Sequence, residues 1–488
     1  MEKHDLENGF HAIPGGSLSI REFDGNGLLT NIHEGNSLST ISTRKLTNSG
    51  RLGSSVEVLQ SLINVFLPTG YPHSVKPDYL DYQIYDSFQA FSSSIAALFA
   101  NRAVLSAVGV GDESATSTSA LFMKIIQDTV GRLGTILFAW RLGSALEPEC
   151  KKYRYMADLV NDTATIFDCL SPLFPGSRNF KVALLCMSGL LRSICGVMAG
   201  GSRAALTQHF TDPKRGSIAD VNAKDQSQET VITLMGMLTG SVVVGIVQGE
   251  GLEMWIAVTI LLALHLYTNY QAVAHVVMRT LNRQRVNIVF SDIISSLDTI
   301  RQSAHTDVES DVSISRLLLT PKKTSLKERI LEGDGLLRWY DSTTPKSGSD
   351  NIIGFGKFGN FLSVVQHLPR GSTINEILEI TGHHGYIISY YKLSHTGRAT
   401  VQICLIHGAA KNADAKAWVH ALLIAKEVIK GKSIDGLEVI RSTEKLVTEI
   451  FDELRIESAL IHAGWDLDRY AIQSWPNPTF KPDNADKQ

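Results

Sequence analysis

The chain has 488 residues, 44% of them hydrophobic and 19% charged, and 46 basic against 49 acidic side chains give a formal net charge of −3. That length supports two or three domains with large cores. So balanced a charge excludes a global field of the kind that steers a protein to nucleic acid or to an acidic substrate. Five cysteines, Cys150, Cys169, Cys186, Cys195 and Cys404, form an odd count without CxxC spacing. They read as reduced intracellular thiols packed as small hydrophobes. Met1-Glu2-Lys3-His4-Asp5 is followed by mixed polar sequence and not by an apolar stretch, so no cleaved secretory signal is expected.

Residues 1–52 are rich in Gly, Ser, Asn and Thr without a sustained apolar period, which predicts a disordered leader. From Ser54 the pattern changes. Val56, Leu59, Leu62, Ile63 and Phe66 recur at helical spacing, and further helices are predicted over 78–107, 115–143, 153–170, 179–208, 228–248 and 254–285, with Pro148, Pro172, Pro175 and Pro213 at the breaks. The expected fold is mainly α, a helical bundle over 53–300 followed by a small α+β C-terminal domain.

Charge disappears from two of these segments. Thr230–Gly249 contains no Asp, Glu, Lys or Arg, and Met254–Met278 carries only His265 and His275 as titratable groups. Either is long enough to cross a hydrocarbon core of about 30 Å at about 1.5 Å per residue. The cations Lys214, Arg215 and Lys224 before the pair and Arg279, Arg283 and Arg285 after it, with acids between, place both outer ends in the cytosol under the positive-inside tendency. The alternative is a hairpin surrounded by other helices in a soluble bundle, which is also apolar all round. Gly236-x-x-x-Gly240, Ser241-x-x-x-Gly245 and Gly196-x-x-x-Gly200 have the spacing at which small residues let helices approach closely.

Residues 301–350 return to polar, Ser/Thr-rich sequence and read as a linker. A second unit of α+β type is expected over 351–475, with a tail over 476–488. Thr373-x-x-Glu376 is a capping box opening a short helix. Tyr386–Leu393 and Ala399–Leu405 form a β-hairpin turning at Gly397, and 414–429 and 442–463 have helical period.

The helical region, from about Gly53 to Arg285, resembles the root UV-B sensitive family. The stretches that carry the resemblance include Phe66-Leu-Pro-Thr-Gly-Tyr-Pro-His-Ser-Val75, Asp78-Tyr-Leu-Asp-Tyr-Gln83, Asn101-Arg-Ala-Val-Leu105, Gly131-Arg-Leu-Gly134, Ala157-Asp-Leu-Val-Asn-Asp162, Arg203-Ala-Ala-Leu-Thr-Gln-His-Phe210, Asp220-Val-Asn-Ala-Lys-Asp225 and Thr280-Leu-Asn-Arg-Gln-Arg285. Tyr85, Thr129, Ser202 and Gln226 depart from the family pattern; Thr129 and Gln226 stand where Gly is usual, which matters if a positive φ is required there. The resemblance implies a membrane context and a link to vitamin B6 homeostasis. It carries over no catalytic residues.

Several constellations bear on chemistry. Arg203, His209, Asp220, Lys224 and Asp225, with Glu229, gather cations and carboxylates before the first uncharged segment, suited to an anionic ligand or to a network that fixes the loop. Asp158, Asn161 and Asp162 share a helical face, within reach of Arg154 or of an arginine from a neighbouring helix. Arg192 stands alone in the apolar stretch 182–201 and either faces a polar interior or marks the stretch as non-spanning. Gly354-Phe-Gly-Lys-Phe-Gly359 matches GxGxxG, but without the strand and helix of a βαβ unit it reads as a flexible lead into the second domain. His383 and His384 with His395 and His407 can approach one another across the hairpin, but zinc wants a fourth ligand and Cys404 faces the opposite way from His407, so they read as surface histidines. No GxSxG, HExxH or Walker sequence occurs.

The expected function is that of a membrane-associated, non-enzymatic protein that recruits or organises partners. The alternative is a carrier or binding protein for a small phosphorylated metabolite such as a vitamin B6 vitamer. Expected partners are membrane lipid and a second copy or related family member; no nucleic acid, cofactor or metal is expected.

Overall fold

A computed structural model describes residues 19–23, 29–34, 42–45, 65–108, 117–174, 178–247, 251–303, 318–340, 351–431, 436–473 and 477–482. The chain falls into two compact units, one of Met1–Tyr79 and Phe210–Ile232, the other of Leu80–His209 and Thr233–Gln488. In the first unit, β1 (Ser19–Phe23), β2 (Leu29–Glu34) and β3 (Ser42–Lys45) form an antiparallel meander. This corrects the expectation of a structureless leader: backbone pairing orders these short strands despite their polar composition. Most of the helix expected over 56–66 lies outside the described residues.

The protein is mainly α, as expected. Six long helices follow: α1 (Tyr79–Val108), α2 (Ser117–Leu142), α3 (Cys150–Leu170), α4 (Arg178–Phe210), α5 (Ile218–Ile246) and α6 (Leu252–His275). Side-chain contacts give their directions. Asp86 and Gln89 meet Arg154 and Asp158, so α1 and α3 run parallel. Asp158 and Asp162 meet Asn269 and His265, so α6 runs against them. Arg192 meets Asp168 while Gly201 lies against Leu146, so α4 also runs opposite to α3.

Gly236 and Gly240 explain their spacing: a Cβ at the first would lie 2.9 Å from the Phe91 carbonyl oxygen, and one at the second 3.2 Å from the Ile95 Cα. The close approach is therefore spent within the chain, between α5 and α1. Thr129 and Gln226 sit inside α2 and α5, and among the described residues the sole non-glycine positive φ is at Arg455, so neither departure from the family pattern forces a turn.

The second half is built on a four-stranded mixed sheet of order β5-β6-β8-β7, with β5 (Leu336–Arg338), β6 (Ile352–Phe358), β7 (Tyr386–Lys392) and β8 (Ala399–Leu405). The hairpin and the Thr373/Glu376 capping box that opens α8 (Ile374–Thr381) are as expected. Three expectations need correction. The segment Gly354–Gly359 is no flexible lead: it lies largely in β6, parallel to β8, and Trp418 leaves no room for a side chain at Gly356, 2.7 Å from a Cβ built there.

The boundary at residue 300 falls inside a helix, α7 (Arg283–Ser303), whose Val286, Val289, Phe290 and Ile293 share one core with the sheet and with α9 (Ala413–Ile429). The expected linker contributes β5 and a helical turn at Pro321–Ser325. Beyond α9 lie α10 (Gly436–Thr448) and α11 (Ile456–His462), and β9 (Asp466–Ala471) pairs in parallel with β4 (Thr280–Asn282).

His420 of α9 is wholly buried in this core. Its Nε2 reaches Thr443 Oγ1 at 2.9 Å and the Ile440 carbonyl at 3.2 Å, and Tyr386 Oη lies 3.0 Å from Nδ1. Burial pushes its pKa down to about 3 from 6.5. The unfolded chain therefore takes up a proton that the folded one refuses. The stability held by neutral His420 is complete above pH 6.5 and drains away as pH falls toward 3, by about 2 kcal/mol at pH 5. Thermal unfolding of the detergent-purified protein should thus show a steeper acid loss in the wild type than in His420→Gln; parallel profiles between pH 7 and 4.5 would contradict the assignment.

Candidate functional site

The bundle has the polarity of a water-soluble protein turned inside out. Leu121, Phe122, Ile136, Leu137 and Trp140 on α2, Leu238, Val242 and Ile246 on α5 and Ile260 on α6 are each 60–75% exposed. Leaving nine such side chains largely unburied forgoes on the order of 10 kcal/mol at about 1.5–3 kcal/mol each, as much as the net stability of a typical domain. Three helices are long and apolar enough to cross a membrane by length and composition, Asn179–Phe210, Ile218–Ile246 and Leu252–His275, and only 17, 11 and 33% of their most apolar stretches are buried. Within the described residues, then, the hairpin is little covered by other helices. A third apolar helix, α4, joins the two read from the sequence.

Inside, the least apolar of the six helices, α3, carries the charges. Arg154 is buried and gives its donors to four side chains: Nη2 to Asp86 (2.7 Å) and Gln89 (2.9 Å), Nη1 to Asp158 (3.2 Å) and Nε to the Tyr82 hydroxyl (3.2 Å). The Gln89 amide, oriented by Arg154, donates to Asp158 and faces His265 Nε2 at 3.2 Å. His265 in turn presents Nδ1 to Asp162 at 2.8 Å, and Asn269 donates to Asp158 at 2.6 Å. Two carboxylates, Asp86 and Asp158, thus flank the guanidinium, and a third, Asp162, joins through His265, all of them buried. Asp162 Oδ2 and Asn269 Oδ1 have no hydrogen-bond donor among the described residues. Further along α3, buried Asp168 pairs at 2.5 Å with Arg192 of α4, whose side chain stays 37% exposed. The spacing of Asp158 and Asp162 pointed to Arg154. Asp86, Gln89, His265 and Asn269 arrive from two other helices and carry no local signal.

At the start of α3 the chain leaves a cavity of about 460 Å³ against β6, within the usual range for small-molecule sites. Arg141, Lys152, Arg283 and Lys357 line it with Glu149 and Asp334, and Tyr153, Phe355 and Phe358 supply aromatic walls. A second cavity of about 180 Å³ shares Glu149 and Lys152 and adds Lys151, Arg285 and Glu328. Lys151 and Arg285 both pair with Glu328, at 2.6 and 2.7 Å, and hold its carboxyl below the usual value against its burial. Burial pushes Glu149 up to about 7, against the pull of Arg285, Lys152 and Arg283.

The residues singled out from sequence as an anion site divide between the two compact units, Arg203 and His209 in one and Asp220, Lys224 and Asp225 in the other. Arg203 and His209 lie on the last turns of α4, His209 buried. Asp220 accepts the Thr69 N–H at 2.7 Å, and Lys224 donates to the Val65 carbonyl at 2.9 Å. Both hold the 65–69 segment, as expected of a network that fixes a loop.

Fold and site define a class: a helical bundle apolar outside and charged within, joined to a small α+β domain. Residues 53–296 match the vitamin B6 photo-protection and homoeostasis domain. The chain is 30% identical over 455 residues to Protein root UVB sensitive 3 of Arabidopsis thaliana, covering 93% of both. It is 36% identical over 301 residues to RUS family member 1 of Dictyostelium discoideum, 59% of this chain and 56% of that one. Against Protein root UVB sensitive 2, chloroplastic, of Arabidopsis thaliana, identity is 25% over 240 residues, 49% of this chain. The chain belongs to the root UVB sensitive family. No solved structure matches it.

Breaking a buried pair leaves a charge without a partner, at about 3–5 kcal/mol. Arg154→Met should lower the unfolding free energy in detergent by that amount, and adding Asp86→Asn and Asp158→Asn should recover part of the loss. A single variant that unfolds at the same denaturant concentration as the wild type would remove Arg154 from its central position.

Proposed function

We propose that this chain is an integral membrane member of its family that binds and carries a small anionic metabolite, the family's link to vitamin B6 homeostasis making a phosphorylated vitamer the first ligand to test. The observation that carries the reading is the charged network enclosed by helices with apolar outer faces. Ionisable groups among membrane helices are costly, face the bundle interior and mark ligand or ion pathways. The cavity by β6 supplies the rest: cationic side chains for a phosphate, among them Lys152 and Lys357, with Arg283 held in place by Asp334, and aromatic walls for a planar ring. The reading is of a non-enzymatic protein.

A scaffold that recruits a second family member is the other reading, and one observation favours it. A Cβ built on Gly196 or Gly200 meets nothing within 4 Å, so this small-residue spacing on α4, unlike Gly236-x-x-x-Gly240 of α5, is open to another helix.

Two measurements test the proposal. Alkaline carbonate extraction should leave the chain with the membranes; full release into the soluble fraction would sink the membrane part. Calorimetric titration of the detergent-purified chain with pyridoxal 5′-phosphate should show saturable binding that weakens at least tenfold in Lys152→Ala/Lys357→Ala. Because Glu149 loses its proton near pH 7, the affinity should rise as pH falls from 8 to 6 and stop doing so in Glu149→Gln. Absence of heat at millimolar ligand would favour the scaffold.

A further inference from the structure

The α+β domain contains a group of ligating side chains unrelated to the bundle. A tight turn at Gly382–His384 closes α8, and Gly385 follows it with φ +86°. A Cβ at Gly385 would stand 2.7 Å from that of Ala409, so the turn is held closely in place. It aims two successive imidazoles at one carboxylate on α10: His384 Nε2 lies 3.1 Å and His383 Nε2 3.4 Å from Glu444 Oε1, with ring centroids 3.9 Å apart. Glu444 also accepts the Thr448 hydroxyl at 2.6 Å on the same oxygen. His384 is therefore not the surface histidine expected from sequence but a buried one. Its partners are on α10, not at His395 or His407 of the hairpin.

Thr448 Oγ1 also lies 3.1 Å from His384 Nε2, so the hydroxyl, both imidazole nitrogens and one carboxylate oxygen converge on a single point. Such a convergence of ligating atoms suits a cation. The three ligating atoms lie within 4.8 Å of one another, and tetrahedral zinc, with bonds of about 2.0–2.2 Å, sets its ligand atoms about 3.3–3.6 Å apart. The His383–Glu444 distance falls in that range and the His384–Glu444 distance lies about 0.2 Å below it. Two imidazoles with one carboxylate suit borderline first-row metals over magnesium or calcium, and the Thr448 hydroxyl supplies the kind of outer hydrogen bond that orients a ligating carboxylate. His383 is half exposed, which leaves the remaining coordination position facing solvent.

We propose that His383, His384 and Glu444 bind one divalent first-row transition metal, with zinc as reference ion and a fourth position open to water or to an oxygen ligand. The test uses full-length, tag-free protein stripped with a chelator, then titrated with zinc in competition with a chromophoric chelator. One equivalent should bind and raise the melting temperature, a tenfold excess of magnesium should not compete, and His383→Ala and Glu444→Gln should each weaken binding at least tenfold. His383 is exposed, so its variant should fold like the wild type even if His384→Ala does not. No zinc retained against the chelator, or both variants binding as the wild type does, would overturn the site. Ferrous iron titrated anaerobically separates a zinc site from an iron one by relative affinity.

Discussion

The bundle depends on the pairing of Arg154. A guanidinium taken out of water costs several kcal/mol unless its donors are met, and here the acceptors that meet them come from α1 and from α3 itself. The carboxylates so recruited need partners in turn, which α6 provides through His265 and Asn269. Three helices are thereby locked in one axial register. A helix slipped by one turn would strand at least one buried charge, so the network acts chiefly against wrong arrangements, whereas the apolar contacts of Ile95, Phe99, Met254 and Val258 are tolerant of small shifts.

The same economy ties the bundle to the α+β domain. Within Thr280–Asn287, Asn282 donates to the Pro148 carbonyl before α3, Arg285 pairs with Glu328, and Asn287 bridges the Leu336 carbonyl of β5 and the Trp418 indole of α9. This short segment thus touches the start of α3, the polar stretch after α7, the sheet and its covering helix. That explains why the family domain extends to residue 296, past the last long apolar helix and into α7.

What could be read from the chain follows the range of the forces involved. Helical period is local, so four of the six long helices are legible to within a few residues; the polar first ten residues of α5 hide its start, and α6 ends at His275, ten residues before the expected Arg285, because the chain turns into β4 there. The pairing of Arg154 with Asp158 is also local, at i and i+4. Asp86 and His265 lie 68 and 111 residues from Arg154, and only the packing of helices brings them together. Strand β6 escaped because glycine has poor strand propensity; the three glycines of Gly354–Gly359 answer to Trp418, Ala399 and Ser363, a requirement invisible without the fold. The meeting of His383 and His384 with Glu444 was missed for the same reason. Their sequence neighbours in the hairpin drew attention first.

The polar interior is directional. On α6 the buried face is apolar in its first half, at Met254, Val258 and Leu262, and turns polar at His265, Thr268 and Asn269. Its last turns supply Tyr270 and Ala274 to the smaller cavity. On α3 the buried residues Lys151, Arg154, Asp158, Asp162, Thr165 and Asp168 follow one another at three- and four-residue steps. They make a single polar stripe of about 25 Å at about 1.5 Å per residue. Lys151 lines that same cavity, and Asp168 is met by Arg192 from the middle of α4. The stripe therefore joins the basic cavities at one end of the bundle to its interior without an apolar break, and it is enclosed by helices whose outer faces are apolar. A carrier requires such continuity between a ligand cavity and a charged interior, and the network that fixes the helical register is also the one that supplies it.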